Sequence, residues 1–238
     1  MPEKAVRKAL ERGLAQLDEN MATLAELSEL AIRKAMDGLA RGDPSVAEEV
    51  FTLDQEVYAL QEEIERTCVD LIALHAPVAR DLRAITTSLK ITTDLDRIAR
   101  YAKDIGEITL SFHGQIPPGL KDLVKIPEMA EDTIGMVELT IDAFLKRNAD
   151  PVRNITEVDD IVDRLHDEVL AEIVVAMKAG RLDPEVGARY ILINRYLERI
   201  ADHAVNIGLR VVYMVTGEWP PRVRAADRAK RGLHQARP

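Results

Sequence analysis

Asp94–Gly106 reads DLDRIARYAKDIG, and 102 residues later Tyr196–Gly208 reads YLERIADHAVNIG. Seven positions are identical: Leu95/Leu197, Arg97/Arg199, Ile98/Ile200, Ala99/Ala201, Ala102/Ala204, Ile105/Ile207 and Gly106/Gly208. A segment repeated at a fixed offset marks a duplicated structural unit. Both copies place apolar residues at steps of three and four, the helical period. Oxygen-bearing side chains recur on the same register, Asp96 and Asp104 in the first copy, Glu198, Asp202 and Asn206 in the second. Steps of four set such side chains in a column along one helix face.

The same period extends outward in both directions. Leu10, Leu14, Leu17, Met21, Leu24, Ala31 and Ala35 form a coiled-coil-like seam over about residues 3–40, interrupted only by Ser28. Asp43 and Pro44 supply an N-cap and a first helical residue for a second helix over about 44–74. His75-Ala76-Pro77 ends it. A third helix over about 78–112 carries Ile91, Leu95, Ile98, Ala102 and Ile105 inward. HGQIPPG, residues 113–119, is the clearest linker. A fourth helix ends near Arg147, with Pro127 at or near its start. Asp150 and Pro151 repeat the arrangement of Asp43 and Pro44 and predict a fifth helix over about 151–179. The sixth, over about 184–215, stops at Gly217.

No strand pattern competes, so the fold class is all-α. Six long helices with short connections make two pseudo-symmetric antiparallel three-helix bundles. The predicted units are residues 1–113 and 114–217, followed by a basic, disordered tail over 218–238.

Composition agrees. Hydrophobic residues make up 47% of the chain but aromatics only 4%, so the core is aliphatic. No apolar run is long enough to span a membrane, and the N-terminal segment is amphipathic without an apolar signal core. Cys68 is the only cysteine and has no internal disulfide partner. The expected location is the cytoplasm. The net charge of −9 divides unevenly. Arg222, Arg224, Arg228, Lys230, Arg231 and Arg237 against Asp227 give the tail +5, leaving −14 on residues 1–221. An acidic body repels nucleic acid and anionic lipid and suits cations or basic protein surfaces.

Heptad registration puts Glu198, Asp202 and Asn206 outside the sixth helix's seam. Asp163 and Asp167 take comparable positions on the fifth helix, with Asp159 close by. Two antiparallel neighbours would then present parallel acidic columns, whose mutual repulsion a multivalent cation relieves. Charged outer positions also serve plain solubility, and the columns alone do not decide between these readings. Asp163 and His166 form half of a di-iron helix motif, but no second copy exists, which argues against a ferritin-like oxidase. Arg97 and Arg199 are placed to pair with Asp94 or with acids on adjacent turns. His203 fits a role on the helix rim and His75 one at a helix end. Phosphate-binding loops, dinucleotide-binding glycine motifs and nucleophile–base arrangements are all missing from the sequence, so nothing in it calls for an enzyme.

Three segments carry a family resemblance. NRYLERIADHAVNIGLRVVYMVTGE (194–218), APVARDLRAI (76–85) and the acidic run Asp159 to Asp163 together resemble the PhoU family, in order and at its repeat spacing. The resemblance covers the chain up to Trp219. It implies two three-helix bundles with surface metal clusters, of iron or zinc, held by a Glu/Asp-x-x-x-Asp motif. Glu198 and Asp202 opposite Asp159 and Asp163 keep that motif. The first unit departs from it, with Arg100 four residues after Asp96 and Tyr58 four after Asp54, which predicts weak or absent metal binding there. The implied role is negative regulation of phosphate uptake and starvation signalling, through contacts with a phosphate ABC transporter ATPase and a sensor histidine kinase. Alternatives are regulation of another ion transporter, or a metal-binding bundle with no such role. A homodimer is compatible with all of them.

Overall fold

The computed structural model describes residues 2–115, 119 and 125–220. Residues 116–118 of the expected linker and nearly all of the expected tail lie outside these. The described residues form six helices and no strand: α1 (Pro2–Arg41), α2 (Pro44–His75), α3 (Ala79–Leu110), α4 (Lys125–Leu145), α5 (Ile155–Lys178) and α6 (Pro184–Thr216).

Local chemistry sets the boundaries. Asp43 Oδ1 accepts from the Ser45 N–H at 2.9 Å and caps α2 above Pro44. These bonds to Ser45 hold the Asp43 carboxyl below its usual range. The true repeat of this cap is Asp183-Pro184, where Asp183 Oδ1 accepts from the Glu185 N–H at 2.8 Å. Asp150-Pro151 does not cap α5 as its sequence suggests. It lies in a single 3-10 turn, Asp150–Val152, and α5 begins only at Ile155. Here the Asp150 carboxylate accepts from Arg153 Nε instead of from a helix N–H. Pro127 is the third residue of α4, where its missing N–H removes no intrahelical bond.

Each unit is an antiparallel three-helix bundle. Between α1 and α2, Lys34 meets Glu49 and Asn20 meets Glu63. Between α2 and α3, Asp54 faces Lys103. In the second unit Lys125 of α4 reaches Glu168 and Glu172 of α5. Asn194 of α6 donates to the His166 carbonyl of α5. The repeated glycines sit at close helix–helix approaches within each unit. A β-carbon on Gly106 would stand 3.2 Å from the Ala47 carbonyl oxygen of α2, and one on Gly208 would stand 3.2 Å from an Ile155 methyl of α5.

The units join through their duplicated helices. α3 and α6 lie antiparallel along the middle of the molecule, flanked by α1 against α4. The Tyr101 and Tyr196 rings stack with centroids 5.8 Å apart. His203 Nδ1 lies 2.9 Å from Asp94 Oδ1. The repeat offset maps Asp94 onto Tyr196 and Tyr101 onto His203. The two contacts are therefore one pseudo-two-fold contact seen from either side, as a two-fold interface requires.

This double engagement explains why α3 and α6 bury more than one seam. Thr87, Thr92, Asp94 and Asp96 are buried on α3, and Asn194, Ala201 and Val205 on α6, beyond the expected stripes. The core is aliphatic as composition predicts, with Leu17, Leu24, Ile32, Ile64, Ile91, Leu95, Ile98 and Ile105 almost wholly enclosed. Cys68 is within it, and burial pushes its thiol pKa up to about 12, so it is an unreactive apolar filler.

Candidate functional site

The acidic columns lie along the grooves between paired helices, and their depth is graded. On α6, Asn194 is fully buried, the Glu198 side chain is 16% exposed, that of Asp202 is 34% exposed, and Asn206 is open to solvent. Across the groove on α5, Asp159 is buried at 1% exposure, Asp163 is half-buried and Asp167 is exposed. The sequence reading set all of these acids on the exterior. Asp159 instead lies inside, because α5 turns it toward the body of the molecule.

Guanidinium groups already occupy the second-unit column. Arg195 Nη1 donates to both Glu198 oxygens at 2.7 Å, and Arg199 Nη1 donates to Asp202 at 3.1 Å. Even so, burial holds the Glu198 carboxyl above its usual range, and the Asp202 charge adds to that, outweighing Arg195 and Arg199. Deeper in the groove, Asn194 Oδ1 and His166 Nδ1 are buried with no hydrogen-bond partner among the described residues. Neither Asn194 nor Arg195 stood out in the sequence, although both belong to the column's own four- and three-residue spacing.

The first unit shows what its sequence departures do. Arg100 Nη2 donates to both Asp96 oxygens, at 3.0 and 3.2 Å, so the arginine that replaces an acid neutralises the one that remains. Asp54 faces Lys103 at 3.8 Å. Both acidic columns are thus paired with arginine. Asp104 differs. Burial, then Glu107 and Asp54, raise its carboxyl pKa against the pull of Lys103 and Arg100.

The folded pKa of Asp104 lies above its unfolded value, so near neutral pH its charge costs the native state stability, and the cost fades as protonation sets in. Asp104→Asn is expected to melt higher than the wild type at pH 7. That advantage should shrink as the pH falls through the raised range toward about 4, the ordinary value for Asp. Thermal melts at the two pH values check the sign.

The donor types suit a hard or borderline cation. As arranged here, among the described residues no three His, Cys, Asp or Glu side chains converge on a point where an ion would sit, so a cation would bind only after these side chains rearrange. The groove as it stands is a charge-compensated surface of alternating acid and arginine.

Two repeated three-helix units joined along an antiparallel α3/α6 seam define a class of duplicated all-α proteins. The chain belongs to the PhoU family: the family's PhoU domain matches residues 21–109 and again residues 126–211. The phosphate-specific transport system accessory protein PhoU homologue of Clostridium acetobutylicum is 31% identical over 214 residues, which is 89% of this chain and 96% of that protein. The homologue of the same name from Zymomonas mobilis is 30% identical over 223 residues, 92% of each chain. Among solved structures, PhoU from Pseudomonas aeruginosa superposes with a TM-score of 0.80 at 29% identity, covering 87% of this chain and 99% of that one.

Proposed function

We propose that this protein is an accessory regulator of a phosphate transport system, repressing uptake and starvation signalling when phosphate is plentiful. The observation that carries this reading is the pair of PhoU-domain matches along one chain, with curated relatives of that description aligned over nearly their whole length. The role is one of contact, not catalysis. Rigid bundles with charge-compensated grooves offer extended surfaces for the transporter ATPase and for a sensor histidine kinase. No described helix is long and apolar enough to cross a membrane. Affinity capture from detergent-solubilised membranes of phosphate-replete cells tests this. Retention of the transporter ATPase is expected. Capture of none of its subunits, together with unchanged phosphate uptake after gene deletion, would refute it.

Iron or zinc at Glu198, Asp202, Asp159 and Asp163, with Asn206 and Asp167 at the outer end, is a subsidiary proposal. It requires Arg195 and Arg199 to leave the acids they now hold, so the arginines set the affinity. Removing both guanidinium groups (Arg195→Ala with Arg199→Ala) is expected to tighten zinc binding by about tenfold or more, since each charge-assisted pair contributes on the order of 1 kcal/mol. Glu198→Gln with Asp202→Asn should abolish it. Direct zinc titration by calorimetry reads both, and a wild-type-like isotherm in the arginine variant rules this geometry out.

A further inference from the structure

One end of the molecule is unlike the rest. It gathers the C-terminal ends of α2, α4 and α6 with the N-terminal end of α3. Six large apolar side chains stand exposed there: Leu74 and Val78 at 74% each, Trp219 at 61%, and Leu82, Leu145 and Val215 at 37–38%. Scattered surface apolar residues call for no explanation, but a cluster does.

The cluster is rimmed by guanidinium groups. Arg80, Arg147, Met214 and Val215 line a cavity of about 300 Å³. Arg83 lies alongside, its Nε donating to the Met214 carbonyl and its guanidinium carbon 3.7 Å from where a Gly217 β-carbon would be. The acids at this end are largely answered. Asp18 pairs with Arg147 at 2.9 Å, and Asp81 pairs with Arg7 at 2.8 Å. Asp70 and Glu218 remain exposed, while Arg80 is exposed with no ion pair among the described residues. The sequence that continues past Trp219 carries +5 from Arg222 onward.

From this juxtaposition we propose that the α2–α3 turn and the end of α6 dock on an anionic lipid bilayer, Leu74, Val78 and Trp219 entering the interface while Arg80 and Arg83 meet lipid phosphates. A protruding turn that presents Leu, Val and Trp beside arginine has the chemistry of an interfacial anchor. The apolar parts enter the headgroup boundary, and the long cations lie along it with their heads in water. The acidic body does not forbid this. Charges are screened beyond about 8 Å at physiological salt, so a surface at this end senses the local arginines and the basic extension. The inference goes beyond the transporter reading and does not depend on it, because the capture experiment above uses detergent and holds no bilayer.

Trp219 is the only tryptophan in the chain, so its emission reports on this end alone. The full chain is mixed with vesicles of phosphatidylglycerol and phosphatidylcholine, and separately with phosphatidylcholine alone. Co-sedimentation and a blue shift of Trp219 emission are expected with the anionic vesicles only. Leu74→Ser with Val78→Ser should leave the melting temperature unchanged, since both side chains are exposed, and weaken binding at least about tenfold. Arg80→Gln should weaken it about fivefold. Four results overturn the proposal: no shift and no sedimentation with anionic vesicles; binding that survives the Leu74/Val78 double variant but is lost when residues 222–238 are removed; the same shift with inorganic phosphate alone, which would mark a small-anion cavity; or equally tight, Leu74- and Val78-dependent binding to polyglutamate, which would mark an acidic protein surface.

Discussion

Asp94→Ala is expected to cost about 2–3 kcal/mol of stability, a fall of roughly 5–10 °C in melting temperature for a chain of this size. Asp94 on α3 is held from across the seam by two side chains of α6 at once. Its side chain is 8% exposed, with His203 Nδ1 at 2.9 Å from one oxygen and Arg210 Nε donating to the other at 3.1 Å. Truncation removes one member of a three-member cluster and strands the other two. Arg210, 28% exposed, recovers some water, whereas His203 is 14% exposed and recovers little. The loss should therefore exceed that for an exposed ion pair, about 0–1 kcal/mol, and fall short of that for a fully enclosed one. Urea unfolding of Asp94→Ala, Arg210→Ala and the double variant isolates the pair. A coupling energy of about 1 kcal/mol or more is expected, and strict additivity would show that the cluster does not join the units. The symmetry-related contact, Tyr101 on Tyr196, should couple more weakly, by about 0.5–1.5 kcal/mol, since it rests on stacking alone.

That cluster also shows where sequence reading stops. Each helix and nearly every boundary is legible because each follows from local chemistry: apolar period, a capping aspartate before a proline, a glycine past the end. Asp150-Pro151 misleads because Asp183-Pro184 uses the same letters with the same local meaning, and only packing decides which of them opens a long helix. The second buried face of α3 and α6 is not legible. A heptad seam describes how a helix meets its own bundle and carries no mark of a second bundle, so Asp94 reads as a partner for Arg97 or Arg199 and His203 as a rim residue. Asp96 on α3 is misjudged for the same reason, since an outer position of one three-helix unit becomes an inner one once two units share a seam; Asp159 is buried within its own unit, where α5 packs on α4 and α6. The spacing of the acids along α3 and α6 is legible. Their pairing with Arg195, Arg199 and Arg100 is less so, because spacing places a cation within reach of several acids and geometry chooses among them.

Gly106→Val is expected to cost about 3 kcal/mol of stability. Glycine inside a helix ordinarily weakens it by up to about 1 kcal/mol relative to alanine, so a substitution at a tolerant site would gain stability. At Gly106 a β-carbon meets the Ala47 backbone oxygen of α2 at 3.2 Å, with the Val50 β-carbon at 3.7 Å and the Phe51 ring at 3.8 Å behind it. A backbone carbonyl has no rotamer to change. Accommodating even one methyl requires the α2 backbone at Ala47 to give way slightly, and valine's two γ-methyls enlarge the overlap. Overpacking of this kind costs about 1–3 kcal/mol and sometimes more. The repeat supplies its own control. The three atoms nearest a β-carbon on Gly208 are side-chain carbons, Ile155 Cγ2 at 3.2 Å and Ile155 Cγ1 and Thr140 Cγ2 at 3.3 Å, and side chains can adjust. Gly208→Val should accordingly cost about half as much, although sequence identity alone would assign the two glycines the same importance. Denaturant unfolding of the two variants checks the ratio. Equal losses would mean that valine's bulk inside any helix of this bundle, and not the approach of one carbonyl, sets the cost. The unequal result would show that the two copies of the repeat keep glycine for different reasons, one to admit a neighbouring backbone and the other to admit neighbouring side chains.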